Sequence, residues 1–476
     1  MAWYDNVMNS FAQRVAGFVN DQLQAQYGTL GKYYAGNQRK FLKKKDGSAQ
    51  DDNVILNFVA LAVDRSVSRL YRSGVEFVLP EGAEAQQEYL DAVWDLNKKE
   101  IIMYQVGLHG SVYGTPYFKI VPDGIQNPYT EEMYPRLIPL DPEICRVKTD
   151  PQDMQKVIEY RIEYTVTETD DYGNVKKINY REITRQDRPT DYEAEPKETP
   201  GYWVVEYWEM VGESGRWVLV KSEQWPYTFP PILHWKNLPS LKSAYGDSDI
   251  DDVINVQDHE NFVVSNTGKI IKYHAHPRTI ITGASVKELE PSANIESLWG
   301  ISNPDANVAN LEVQSDLASS RNYAQDLRQS IFDISREVDI TSITDRLGTL
   351  TNFGLRVLYS DATDKNDTKR QLYGDAFKEL NRRLLVLQGF EGEQSHPGEI
   401  KWGQALIIDI AEEMQTDQLA LDMGIVDKET IVDRYKDRYG LDWGMLQERL
   451  AEQAAADNQN NSDIGSLILR NFSQGV

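Results

Sequence analysis

Residues 246–276 read GDSDIDDVINVQDHENFVVSNTGKIIKYHAH, residues 315–340 read SDLASSRNYAQDLRQSIFDISREVDI, and the reading of these two stretches decides the fold. The first opens on a helix-start signal, Gly246-Asp247-Ser248-Asp249, and runs to Pro277 with Gly268 as its one break. At ~1.5 Å per residue, 247–276 predicts about 45 Å of helix. In the second, Leu317, Ala324, Leu327, Ile331, Ile334 and Val338 recur at steps of seven, three and four, a narrow seam that packs helix against helix. A segment rich in Pro, Gly and Asn separates the two. The pair predicts a protruding antiparallel hairpin. Such an arm cannot reach the core of the body and needs partners, foremost copies of itself.

The chain has 476 residues, enough for about three domains, and its 41% hydrophobic content suffices for buried cores. With 74 acidic and 50 basic residues it carries a formal charge of -24, which excludes a phosphate-binding surface over the whole molecule but leaves room for local basic patches. The single cysteine, Cys145, excludes an intramolecular disulfide and reads as a small apolar filler beside a strand rather than a reactive thiol. No apolar run is long enough to cross a bilayer, and the start MAWYDNVMNSFAQRVAGFVNDQL lacks the basic region and apolar core of a signal peptide, so the reading is soluble and unexported. Trp3, Val7, Phe11, Val15 and Phe18 share one helical face. The opposite face is poor in the Lys and Arg that an anionic membrane would require, which favours packing against protein.

Residues 1–115 read as mostly helical, with Gly74 and Gly114 placed where helices stop. From Pro116 to about 235 the period changes to that of antiparallel strands, with an acidic, proline-bearing insert at 187–201 predicted to be an exposed loop. Residues 277–310 predict a small module with two or three short strands at the tip of the arm. DITSITDRLGTLTNFG, 339–354, suits a loop, and 351–389 predicts a third long helix, kinked or exposed where DATDKNDTKRQ (361–371) is polar all round. A strand at 400–410 and a helical region follow, with Asp427 as a cap before KETIVDRY and, past DNQNNSD, a short docking helix. The fold class is α+β.

No phosphate loop, dinucleotide fingerprint, zinc-protease helix, nucleophile elbow or paired CxxC is present. His274 and His276 would need a third metal ligand from elsewhere, and histidines complementing a helix C-terminus is the stronger reading. Asp247, Asp249, Asp251 and Asp252 admit a hydrolytic acid pair or a cation site, but acids in the first turns of a helix outweigh both. Tyr202, Trp203, Tyr207 and Trp208 admit a sugar-stacking platform, against which stands the core packing usual for aromatic strands.

In order, the parts are a helical and β-rich body, a descending helix, a small β tip, an ascending helix, a loop, a long helix and a helical C-terminal region. That order resembles the portal (head-to-tail connector) protein family of tailed double-stranded DNA bacteriophages, of the long-tailed type. Stretches that carry the likeness are NFVALAVDRSVSRLYRSGVEF, DLNKKEIIMYQVGLHGSVYGTPYFKIVPD with its YG.PY turn, FPPILHWKNLPSLKSAYGDSDIDDVINVQDHENFVVSN with its GDSDI cap, and GIVDKETIVDRY. The Tyr- and Trp-rich strands depart from the better-known members.

The resemblance implies a wing formed by 1–246 (helical, then antiparallel β-rich), a stem of helices 247–276 and 311–340, a β-containing clip at 277–310, a tunnel loop at 341–352, a long wing helix at 353–399, and a wing strand with a helical crown and tail at 400–476. The tunnel loop would present Thr341, Ser342, Ile343, Thr344, Asp345, Arg346, Leu347 and Gly348. Leu317, Leu327, Ile331, Ile334 and Val338 would pack the stem. The resemblance further implies a ring, normally a dodecamer, at one capsid vertex of the virion, assembled in the host cytoplasm without membrane, cofactor or catalytic residue. Double-stranded DNA would pass through it independently of sequence, driven by a separate large terminase. A head-tail adaptor, capsid and scaffolding proteins would be its other partners.

A ring of twelve, each copy at -24, would line such a conduit with acid that repels phosphate instead of gripping it. Lys269, Lys272, Arg278, Arg321, Arg328 and Arg346 would touch the DNA backbone in passing or pair with acids of a neighbouring copy, as Arg328 with Asp326 or Asp333. Two other readings stay open: another ring-forming virion connector, and a carbohydrate-active hydrolase using an Asp/Glu pair beside the aromatic strands.

Overall fold

Helix α1, residues 23–34, and α2, Phe58–Leu70, open the body, followed by α3, Glu84–Leu96, and α4, Lys99–Tyr113. The computed structural model describes residues 23–38, 40–42, 53–72, 74–150, 152–169, 175–186, 202–211, 215–241, 244–275, 278–282, 305, 307–311, 317–343, 352–403, 410–439 and 443–451. It divides into two compact units, Met1–Ala405 and Leu406–Val476. Asn57 caps α2 by accepting from the Ala60 N–H, and the helix buries Val59, Ala62, Val63, Val67 and Leu70 at helical spacing. Helix α4 stops at Gly114, whose φ of 84° is open to glycine and whose N–H bonds the Gly110 carbonyl.

The β region is antiparallel throughout. Strands β2 (Tyr117–Gln126), β3 (Met133–Leu140) and β9 (Ile232–His234) make a three-stranded sheet in the order β3-β2-β9. Strands β4 (Cys145–Asp150), β5 (Asp153–Thr169), β6 (Val175–Gln186), β7 (Trp203–Val211) and β8 (Arg216–Trp225) follow one another as a five-stranded meander. Strand β1, Val75–Val78, pairs with β12, Glu399–Trp402, so the strand that follows α2 is closed by one from beyond the arm.

The long helix α9, Ser360–Gln388, runs through the main core, where Tyr373, Phe377, Leu380 and Leu384 meet Phe77, Trp94 and Phe118. Its actual course corrects the expectation for 351–389. The helix is interrupted at Tyr359, between α8 (Asn352–Leu358) and α9, ahead of the polar stretch. The polar stretch itself is buried on one side at Ala362, Lys365, Asn366 and Lys369. Periodicity in apolar residues could not reveal this, because the buried face is made partly of lysines.

The arm consists of α5 (Ile254–Ala275) and α6 (Leu317–Ser335), joined by the antiparallel pair β10 (Arg278–Thr282) and β11 (Asn307–Leu311). Helix α5 is led in by a short 3-10 turn, Asp251–Val253, so its 22 residues span about 33 Å, shorter than the expected helix. Helix α6 ends at Ser335 because Arg336 takes φ 56°, which leaves Val338 beyond the helix. Of the expected seam, Ile331 is buried, Leu317 and Leu327 are half-buried, and Ile334 is 45% exposed; Phe332, absent from the seam, is buried beside Ile331. The foot of the arm packs through Ile250, Val253 and Ile331 against Val59, Val63, Val67 and Val112.

A short helix α7, Ile340–Ile343, stands at the start of the expected loop. The second unit contains α10 (Ile410–Asp422), α11 (Lys428–Tyr439) and α12 (443–451). Helix α10 begins at Ile410, where a strand was expected to end, and β12 stops at Trp402. Asp427 accepts from the Thr430 N–H at 2.8 Å, the cap read from the sequence. The face of Trp3 to Phe18, the insert 187–201 and the tail after 451 lie outside the described residues.

Candidate functional site

Two glycines that stand apart in sequence make the root of the arm. Gly114 and Gly246 pack backbone to backbone, and a Cβ on Gly246 would lie 2.4 Å from the Gly114 carbonyl oxygen. The Gly246 N–H donates to Thr115 Oγ1 at 2.9 Å, and the Asn237 N–H donates to the Gly114 carbonyl at 2.8 Å. Ser248 Oγ donates to the carbonyls of Ser111 and Val112, and the Asp249 N–H also reaches Ser111. The residues that lead into α5 thus satisfy the orphan carbonyls at the end of α4. The YG.PY turn and the GDSDI cap are two halves of one joint.

Asp249 lies at the centre of that joint, buried and facing two lysines of α9. Lys369 Nζ is 2.5 Å from Asp249 Oδ2 and Lys365 Nζ is 3.4 Å from Oδ1. Asn237 Nδ2 donates to the same carboxylate, and Lys369 also donates to the hydroxyls of Ser66 on α2 and Ser111 on α4. Burial alone would raise the Asp249 carboxyl, but the two ammonium groups overcome it and hold it well below the usual carboxylate range. Burial brings Lys369 down to about 8 against the pull of Asp249. The expectation that Asp247, Asp249, Asp251 and Asp252 act together as helix-start acids therefore needs correction at Asp249, whose partners are ammonium groups 116 and 120 residues away.

The far end of the arm is fastened by a ladder of cations. Lys365 donates to the Ser335 carbonyl at 2.9 Å, the last residue of α6. Arg69 grips Glu337 with both terminal nitrogens at 3.0 and 2.8 Å, and Arg65 donates to the Val338 carbonyl at 2.8 Å. Arg328 holds Asp339 through two bonds of 2.8 and 2.9 Å and reaches Thr341 Oγ1 at 2.6 Å, while its guanidinium lies over Phe58. Burial would raise Asp339 too, but the hydrogen bonds from Arg328 and Thr341 hold it below its ordinary value. Planar, two-point contacts of this kind fix orientation as well as position. Arg328 thus pairs within its own chain, at the beginning of the expected loop.

Along α5 a third set of contacts runs. Gln257, Asn261 and Ser265, one turn apart and buried, bind the backbone of Val54, Leu56 and Phe58 as a β-edge would. Lys269 extends the row by donating to Asn53 Oδ1 at 3.1 Å. That polar stripe, and the Arg65/Arg69 and Lys365/Lys369 pairs at a spacing of four, were visible in the sequence. A period in apolar residues does not detect them.

Glu260 on α5 departs from this pairing. It is 2% exposed, its Oε2 has no hydrogen-bond partner among the described residues, and burial raises its carboxyl to about 7, with Arg328 partly offsetting. A carboxyl that binds its proton more tightly folded than unfolded stabilises the fold fully below its ordinary value of 4.5, and that contribution is lost as pH rises through about 7. Glu260→Gln is therefore expected to stabilise the chain by up to about 3 kcal/mol at pH 8 and to have little effect at pH 4.5. Urea unfolding at the two pH values reads it; an equal change at both would refute it.

The other expected contact residues are spread over the arm. Arg321 is exposed on α6, Lys272 is exposed near the end of α5, and Arg278 opens β10. Thr341 is anchored as above, Ser342 and Ile343 close α7, and Thr344, Asp345, Arg346, Leu347 and Gly348 lie outside the described residues, as does His276. His274 falls in the last turn of α5. Among the described residues no group of His, Cys, Asp or Glu could hold a metal ion, and no helix is long and apolar enough to cross a membrane. Cys145 is buried, and burial pushes its thiol far up.

Of the aromatic set, Trp203 is buried against Tyr160 and donates to the Thr228 carbonyl, while Trp208 donates to Glu206. A cleft of 370 Å³ holds Glu182 and Glu223 beside Tyr207 and Trp225. Each carboxylate is bound by a lysine, Glu182 by Lys119 and Glu223 by Lys221.

A family model described as phage portal protein, SPP1 Gp6-like, matches residues 20–460. No curated protein matches the chain.

Proposed function

We propose, from the premise that this chain belongs to the SPP1 Gp6-like phage portal protein family, that it forms the ring through which double-stranded DNA enters and leaves the capsid. The body would be the wing, 247–276 and 311–340 the stem, 277–310 the clip, 341–352 the tunnel loop and 400–476 a wing strand with the crown and tail. The observation that carries this reading is the double fastening of the arm. Its descending root is tied to α4 and α9 through Asp249, and its ascending end to α2 through Glu337 and Val338 and to α9 through the bond of Lys365 to Ser335. An arm fixed at both ends on one buried charge cluster is a rigid strut, as a channel wall under load requires.

Within this reading the chain carries no catalytic residue and takes no cofactor. A separate large terminase supplies the work, and the tip of the arm is the surface offered to terminase and head-tail adaptor. Capsid and scaffolding proteins hold the ring at one vertex after assembly in the host cytoplasm. Lys269, Lys272, Arg278, Arg321 and Arg346 would touch phosphates in passing, without reading sequence. Arg328, engaged by Asp339, would act instead by holding the first residues of the tunnel loop.

Electron microscopy of the purified protein tests the reading. Rings with a central channel, twelve-fold in the assembled form, are expected, and a small species that never closes into rings would refute it. Shortening residues 345–348, or reversing the charges of Asp345 and Arg346, should leave rings intact and lower DNA packaging or retention by about tenfold, the scale of roughly 1.4 kcal/mol in a binding or barrier term. Packaging at the unaltered level would remove the loop from the mechanism.

A further inference from the structure

Strand β8 closes the meander with one side of its backbone unpaired. It pairs with β7 alone, and among the described residues no backbone group of 216–222 bonds outside that ladder. All its residues between Trp217 and Trp225 are exposed, with Val218 at 43%, Leu219 at 45% and Val220 at 63%. A long, apolar, exposed edge is a template for another strand, because its outward N–H and C=O groups need partners. Strand β5 has a second open edge. Strand β4 covers it only as far as Ile162, and from Glu163 onward β5 is paired on the β6 side alone.

The two open edges match in height, direction and charge. Tyr164, Tyr180, Glu209 and Val218 lie in one row across the sheet, so 163–168 and 216–221 stand at the same level on opposite edges. Three antiparallel steps separate the two strands, so β8 runs against β5. A twelve-fold ring turns each copy by about 30° from the last, close to the ~20–25° between adjacent strands of one sheet. The β5 of the next copy therefore meets β8 antiparallel, as a further strand of the meander would. Residues 216–221, RWVLVK, hold Arg216 and Lys221 and no acid, whereas 163–168, EYTVTE, hold Glu163 and Glu168 and no base. Within the chain Glu163 meets Arg181 and Lys221 meets Glu223, both surface pairs of little strength. A symmetric pairing of β8 with β8 would set base against base, and of β5 with β5 acid against acid.

We infer that β8 is an interface to a second copy of this chain: residues 216–221 pair with the free edge at 163–168 of the next copy, and the meanders join into one belt around the ring. Each such contact spans about 20 Å of ladder. The inference rests on the ring reading above and goes beyond it in naming the two strands that meet.

Cysteine cross-linking of rings of the full-length protein tests it. Val218→Cys with Tyr164→Cys, and Val218→Cys with Val166→Cys, place thiols on one face of the two edges, while the native Cys145 is buried. Within one chain these positions are three strand spacings apart, about 14 Å, whereas a disulfide needs Cα atoms within about 7 Å. Mild oxidation of at least one pair should therefore give a ladder of covalent oligomers up to the closed ring on a non-reducing gel. Single variants should stay monomeric. Adding Arg216→Glu and Lys221→Glu should slow cross-linking about tenfold, and adding Glu163→Lys and Glu168→Lys to those should restore it. Rings in which neither pair cross-links would overturn the inference and leave the ring reading intact. So would dimers from Val218→Cys alone, which mark a two-fold pairing, or cross-links found only to a capsid or scaffolding protein. Cross-linking indifferent to the charge reversal would overturn it as well. Failure of the unaltered protein to form any ring would instead strike the ring reading itself, and this inference with it.

Discussion

Asp249→Asn is expected to destabilise the chain by about 3–5 kcal/mol, because it leaves two buried ammonium groups facing each other without a counter-charge. The side chain keeps its shape, and only the charge goes. Lys369 and Lys365 sit with their nitrogens 2.5 and 3.4 Å from this carboxylate, and all three side chains are almost wholly excluded from water. The loss should depend on pH in a definite direction. Lys369, brought down to about 8 by burial, binds its proton less tightly folded than unfolded. Its protonated state therefore costs stability, fully below about 8 and no longer above its ordinary value of 10.5. Without Asp249 that cost grows, so the deficit of the variant should be largest at pH 7 and shrink toward pH 10. Adding Lys369→Met, which restores one charge of each sign less, should recover part of the loss. Urea unfolding of the single and double variants at both pH values measures this. A loss under 1 kcal/mol that does not vary with pH would mean that the cluster does not hold the arm.

Gly246→Ala is the second large effect, and its cause is steric. The new Cβ would lie 2.4 Å from the Gly114 carbonyl oxygen, 2.7 Å from Asn237 N and 2.8 Å from Lys236 Cα, all backbone atoms that have no rotamer by which to yield. The joint between α4 and the arm must open, with the loss of hydrogen bonds from Gly246 to Thr115 and from Asn237 to Gly114. A cost of about 3 kcal/mol or more follows. Gly268→Ala is the matched control. It lies within α5, nothing stands within 4 Å of its Cβ, and no strained φ requires glycine there. That change should stabilise by about 0.5–1 kcal/mol. Chemical unfolding of both variants, with ring yield by electron microscopy, separates them; equal behaviour would refute the tight joint.

Both sites show where sequence reading stopped. Gly246-Asp247-Ser248-Asp249 was legible as the start of an arm, and its serine and acids fitted a helix cap by composition alone. That Ser248, besides accepting from the Ile250 N–H, also caps the end of α4, and that Asp249 meets α9, depends on chain segments brought from more than a hundred residues away. Arg328 was legible as a cation on the arm, but its partner, Asp339, became available only because Arg336 ends the helix and turns the chain back. The stretch 361–371 looked exposed because a lysine counts as polar in any pattern, whereas its burial is decided by the carboxylate it finds.

The sequence by itself determined the α+β class, the order of helical and β-rich regions, the helical arm with its β tip, and the glycine stop at 114. These are local matters of period, turn chemistry and backbone freedom, and they outlast ignorance of the neighbours. Only the tertiary structure decided which charges are buried and with whom, that two separate glycine motifs form one joint, and that both ends of the arm converge on Lys365. Pairing in a low-dielectric interior depends on distances of a few ångströms between segments far apart in the chain, and that is information no single stretch of sequence contains.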